Sequence, residues 1–69
     1  MLIQASGKNR NGELFTFSVF TPGALLEEMR KKDMDECRIC FDGWEGGDIH
    51  FWTVSQERVQ RWAERGVFE

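Results

Sequence analysis

The chain has 69 residues, of which 41% are hydrophobic and 30% charged, a globular rather than a disordered composition. Nine Lys and Arg against twelve Asp and Glu give a formal net charge of −3, whereas a duplex-binding protein usually carries a basic surplus. The length is too small for a two-domain enzyme, so we expect a single domain over residues 1–69.

The sequence also bears on cellular location. No apolar run approaches the roughly 18 residues of a membrane span, and no basic and apolar leader of the signal-peptide type precedes the first strand. Two cysteines are fewer than a secreted domain of this length usually carries. We therefore expect a cytoplasmic protein without a membrane partner, whose six Phe and three Trp supply the core.

The first half of the chain predicts two strands and a helix. Residues 2–6 form the first strand, an Asn11-Gly12 pair favours a hairpin turn, and residues 13–20 alternate as a second strand. Thr21 is a suitable helix cap, and Pro22 loses no needed hydrogen-bond donor at the first helical position.

The second half repeats this pattern. Residues 37–41 predict a third strand, residues 42–48 a turn and residues 49–54 a fourth strand. Ser55 or Thr53 can cap a second helix that runs to about residue 65.

The element order ββαββα predicts an α+β fold. We expect a four-stranded, mostly antiparallel sheet with both helices on one face. The halves, residues 1–34 and 35–69, align at an offset of 34 residues, which matches Phe17 with Phe51 and Thr21 with Ser55. Strand alternation then directs Phe17 and Phe51 into the core.

The sheet face opposite the helices is the first candidate binding surface. Strand alternation assigns to this face a set of side chains that is more apolar than a solvent-exposed face usually carries. The set contains Leu14, Thr16, Ser18, Phe20, Arg38, Cys40, His50, Trp52 and Val54. The alternatives are that the C-terminal tail or a second copy of the chain covers this face.

The turn between the third and fourth strands is the second candidate surface. Trp44 lies there among acids and glycines, with Asp42, Glu45 and Asp48 close by. An acidic finger with an aromatic tip suits a basic groove on another protein. The alternative is that Trp44 folds back over the sheet edge.

The cysteines invite a metal hypothesis. Residues 36–43 resemble the opening of a RING-type zinc domain, which needs eight Cys or His ligands where this chain offers Cys37, Cys40 and His50. In an extended strand the two thiols would also face opposite sides of the sheet. We expect structural thiols, no metal, no cofactor and no catalytic residue, with His50 packing beside Trp52; a metal or redox role is the alternative.

The second predicted helix carries a stripe of arginines. Residues 55–67 resemble the recognition helix of excisionase and MerR-type DNA-binding domains, with Arg58, Arg61 and Arg65 near one stripe. A strand stands where those domains place their preceding helix. A solvated helix face is the alternative.

Small size and acidity favour a non-catalytic binding module over an enzyme. We expect it to dock on a larger protein and modulate or inhibit it; phage-encoded inhibitors such as anti-CRISPR proteins share its size and charge. The expected partner-binding residues are Leu14, Phe20, Arg38, Asp42, Trp44, Glu45, Asp48, His50 and Trp52. A homodimer through the open face is compatible, and the alternative function is nucleic-acid binding by sheet-face aromatics or the arginine-bearing helix.

Overall fold

The computed structural model describes residues 2–41 and 51–66. Its four strands form one antiparallel sheet in the order β2-β1-β3-β4, and two ten-residue helices follow β2 and β4. The elements are β1 Ile3–Lys8, β2 Leu14–Val19, α1 Pro22–Lys31, β3 Glu36–Phe41, β4 Trp52–Ser55 and α2 Gln56–Arg65. The predicted α+β class and ββαββα order are confirmed.

The hairpin between β1 and β2 closes through one asparagine. Asn9 Oδ1 accepts the backbone N–H groups of Asn11 and Glu13 at 3.0 and 2.9 Å. Gly12 follows with a φ of +83°, which a side-chain-bearing residue rarely adopts. Arg10 then ties the hairpin to the loop before β3, because its guanidinium lies 2.7 Å from a carboxylate oxygen of Asp35.

Both helices begin where the sequence predicts. Thr21 Oγ1 accepts the N–H of Ala24 at 3.1 Å, and Ser55 Oγ accepts the N–H of Arg58 at 3.1 Å. Each cap satisfies a backbone donor that has no partner within the helix. Neither helix is long and apolar enough to cross a membrane, and no other helix occurs in the described part of the chain.

The hydrophobic core lies between one face of the sheet and both helices. α1 contributes Leu25 and Met29 to this core, and α2 contributes Val59 and Trp62. Alternate residues of the strands pack against them from the sheet. The helices also pack against each other. The buried cluster contains Ile3, Ala5, Val19, Leu25, Leu26, Met29, Met34, Cys37, Ile39, Val54, Val59 and Trp62.

The exit of α1 fills a space above β1. Met34 N–H donates to the Met29 carbonyl at 2.9 Å, and Asp33 reverses the chain with a φ of +56°. Met34 is thereby fully buried over Gly7, where an added Cβ would lie 2.9 Å from Met34 Cε. Because Gly7 has no side chain, the Met34 side chain can occupy this space.

The register of β4 corrects the predicted alternation. Val54 pairs with Cys37 and Trp52 pairs with Ile39. Partners in an antiparallel ladder project to the same face, so Val54 and Trp52 project toward the helices. The prediction that these two residues lie on the open face is wrong, and so is the inward placement of Phe51, which is 53% exposed.

One residue explains this error. Val19 and Val54 are the last core residues of β2 and β4 and are 35 positions apart, whereas the caps Thr21 and Ser55 are 34 apart. Phe20 separates Val19 from its cap, but Ser55 follows Val54 directly. A uniform offset of 34 aligns the helices and shifts β4 by one position, which exchanges its two faces.

Candidate interaction surfaces

The open face of the sheet has a polar centre and an apolar periphery. We use "open face" for the side opposite the helices, and its central side chains are Gln4, Ser6, Thr16, Ser18, Arg38 and Thr53. Leu14 and Phe51 lie at its margins and are 69% and 53% exposed, and Phe20, directly after β2, is 71% exposed. The open face is therefore more polar than predicted, and its exposed apolar side chains are separated from one another.

Arg38 and Phe51 form the most specific feature of the open face. The Arg38 guanidinium carbon lies 5.1 Å from the centroid of the Phe51 ring, within the range of a cation–π interaction. Arg38 is exposed and pairs with Thr53 across the ladder, so the cation stands beside the first residues of β4. The sequence prediction included Arg38 but missed Phe51, because the uniform offset placed Phe51 inside.

Trp52 contacts a different aromatic residue. Its ring and that of Phe41 pack edge to face, with centroids 5.5 Å apart and an interplanar angle of 63°. Trp52 is 41% exposed, so part of it is accessible, but from the helix side of the sheet edge. Leu14 and Arg38 belong to the open face as predicted, Phe20 follows the end of β2 and is 71% exposed, and Trp52 does not belong to this face.

Neither cysteine offers an accessible thiol. Cys40 lies on the open-face side of β3 as predicted, because it pairs with Gln4, but it is only 8% exposed. Cys37 belongs to the core, where its Sγ lies 3.8 Å from Met29 Sδ. Burial, with a smaller effect of the Glu36 carboxylate, raises the pKa of the Cys37 thiol to about 11, so it is protonated at neutral pH.

The two thiols are free and lie on opposite sides of β3. Within residues 2–41 and 51–66, no group of three or more His, Cys, Asp or Glu side chains is placed to hold a metal ion. The predicted acidic finger with Asp42, Trp44, Glu45 and Asp48, together with His50, lies outside the described residues and stays a prediction.

The arginines of α2 line a surface cavity. Arg58, Arg61, Trp62 and Arg65 surround a solvent-open space of about 300 Å³. Arg58 lies over the Trp62 ring, with 5.7 Å between guanidinium carbon and ring centroid, while Trp62 itself is buried. Arg58 and Arg61 take part in none of the ion pairs between described residues.

Comparison of the chain with protein-family models, with curated proteins and with solved structures returned no match.

Proposed function

We propose that this protein is a non-catalytic binding module that docks on a larger protein through the open face and modulates or inhibits it. The observation that carries the proposal is the Arg38–Phe51 pair on a sheet face that neither helix covers. Exposed aromatic rings and arginines are the side chains that most often dominate binding energy at protein interfaces. A ring already in contact with a cation also loses little side-chain freedom on binding.

The periphery of the open face supports the same proposal. Leu14 and Phe20 lie at opposite ends of β2, and Phe51 begins the opposite edge, so a partner must cover most of the sheet to reach all three. The polar centre then supplies hydrogen bonds rather than a large apolar patch. A cytoplasmic location also belongs to this proposal and is supported by the low number of cysteines. A viral or prophage origin belongs to it by small size and a net charge of −3, and so does docking by the acidic segment around Trp44.

The test compares surface variants in one capture experiment. Phe51→Ala and Arg38→Ala alter the open face, whereas Arg61→Ala alters an exposed residue of α2 and serves as the matched control. We expect a host protein that the wild type and Arg61→Ala retain to be lost by both open-face variants. With that protein purified, calorimetry should give at least about tenfold weaker binding for Phe51→Ala, a loss of about 1.4 kcal/mol.

Thermal unfolding of every variant shows whether the fold is kept. A partner that binds the open-face variants as tightly as the wild type contradicts the proposal. So does a host extract in which no protein binds the wild type saturably.

Nucleic-acid binding is the second candidate function, and the α2 cavity favours it. Three arginines around one cavity suit a phosphate backbone, and Phe51 with Arg38 suits a stacked base. The net charge of −3 opposes it. A labelled single-stranded oligonucleotide separates the two candidates: salt-dependent binding that Arg58→Ala and Arg61→Ala weaken favours nucleic acid, and no binding at low salt removes it.

A further inference from the structure

Within residues 2–41 and 51–66, the outer edge of β2 presents a regular series of backbone groups without a strand partner. β2 ends the sheet, since the strand order is β2-β1-β3-β4. The hairpin-closing bond from Asn9 N–H to the Glu13 carbonyl, 3.0 Å long, sets the alternation of the ladder. Phe15 and every second residue after it then bond to β1, while the N–H and C=O groups of Leu14, Thr16 and Ser18 point away from the sheet.

Among the described residues, β2 itself carries little of the usual protection against pairing with another strand; one charged side chain, Lys32, lies over its Phe15 and Phe17 rings on the helix side and is paired with Glu28. Natural edge strands are commonly interrupted by charges, prolines or bulges, or are very short. β2 has six residues without a charge or proline, pairs one-to-one with β1, and opens an uncharged run over residues 14–26. The opposite edge, β4, has only four residues and leads directly into α2.

Apolar side chains on both faces of β2 are incompletely covered. On the helix side, Phe15 and Phe17 are half-buried, and Lys32 Nζ lies 5.7 and 5.1 Å from their ring centroids. On the open face, Leu14 and Phe20 are mostly exposed. An added strand would contact both sets, because it lies about 5 Å from β2 along the hydrogen-bonding direction.

We propose that β2 pairs antiparallel with β2 of a second copy of this chain across a two-fold axis, forming one eight-stranded sheet. With Thr16 opposite Thr16 of the second copy, Leu14 meets Ser18, so all three outward-facing residues enter the ladder. The same register sets Phe15 beside Phe17 of the second copy on the helix side, and such aromatic cross-strand pairs are stabilising.

The self-complementary register of β2 favours a second copy over a different protein at this edge. Each copy offers the other the same outward-facing backbone groups and the same Phe15 and Phe17 rings. Residues 14–26 carry no charge, so this contact adds no local repulsion to that between two chains of net charge −3. A neutral strand offers no charge with which to select a basic or acidic partner. This dimer does not depend on the proposed function; the two open faces would become continuous across the new ladder.

The test uses matched aspartate substitutions at the two sheet edges. Thr16→Asp places like charges opposite each other in the proposed ladder, whereas Thr53→Asp adds the same charge to the same face at the β4 edge, opposite the Arg38 cation. In sedimentation equilibrium we expect the wild type and Thr53→Asp to show twice the 8.1 kDa chain mass, and Thr16→Asp to associate at least about tenfold more weakly.

Hydrogen exchange of the wild type tests the same contact without a substitution. The amides of Leu14, Thr16 and Ser18 should become protected as concentration rises, while those of Phe15 and Phe17 stay protected throughout. Three outcomes overturn the proposal: a wild type that is monomeric at its highest soluble concentration, a dimer that Thr16→Asp leaves intact, or a dimer that Thr53→Asp disrupts equally.

Discussion

The two ββα halves of this sheet follow one plan but differ by a single residue between strand and helix. In the first half, Phe20 lies between the last core residue of β2 and the cap Thr21; in the second, Ser55 both ends β4 and caps α2. The spacing of the two helix caps is therefore preserved, while β4 is shifted by one residue relative to its cap when compared with β2. This shift turns Phe17 toward the core and Phe51, its equivalent at an offset of 34, toward solvent.

The centre of the sheet shows how closely the halves otherwise correspond. Ala5 and Ile39 are 34 positions apart and pair directly with each other. This pair is therefore the point about which β1 and β3, the equivalent strands of the two halves, are arranged symmetrically. Ile3 and Cys37, also 34 apart, both belong to the core. The difference is confined to the outer strands, which meet solvent at their edges and can shift without disturbing the central pair.

The largest expected effect tests the shifted register of β4. Val54→Asp places a carboxylate in the core, whereas Thr53→Asp places one on the open face next to Arg38. An unpaired buried charge should cost more than about 3 kcal/mol, enough to unfold a domain of this size, while the surface change should stay within about 0.5 kcal/mol. Urea unfolding followed by tryptophan fluorescence measures both.

The two aspartate variants are each other's control, since they differ by one position and carry the same new charge. If Thr53→Asp unfolded the protein and Val54→Asp did not, β4 would have the faces that a uniform offset predicts.

The second prediction concerns the core position at which the halves differ chemically, Ile3 in one and Cys37 in the other. Burial raises the pKa of the Cys37 thiol from a usual value near 9 to about 11. The neutral Cys37 thiol therefore contributes its full stabilisation below pH 9. This contribution is lost as the pH rises toward 11, because in that range the thiol ionises in the unfolded chain but not in the folded one. The loss should reach about 2 to 3 kcal/mol, at about 1.4 kcal/mol per pH unit.

Comparison with Cys37→Ala isolates this effect from the titration of lysines. Urea unfolding at intervals from pH 8 to about 11 should show a steeper fall in stability for the wild type than for the variant. Parallel pH profiles would mean that Cys37 is not held neutral in the core.

Local signals allowed most of the fold to be predicted from sequence. Thr21-Pro22 and Ser55 identify both helix starts, and the alternation of β2 gives its faces, because each depends on neighbouring residues. The faces of β4 depend instead on its pairing with β3, which the four residues Trp52–Ser55 do not specify. Arg38 and Leu14 were therefore assigned to the correct face of the sheet, whereas the faces of Phe51 and Trp52 were exchanged.

The smallest expected effect concerns the helix exits, where the halves use different residues for the same left-handed turn. Asp33 ends α1 with a φ of +56°, and Gly66 ends α2 with a φ of +74°. A side chain is strained in this region, so Asp33→Gly should raise the free energy of unfolding by up to about 1 kcal/mol and Gly66→Ala should lower it by about as much. Urea midpoints at unchanged slope measure both changes. If Asp33→Gly were destabilising instead, the Asp33 side chain would contribute more to the α1 exit than its backbone strain costs.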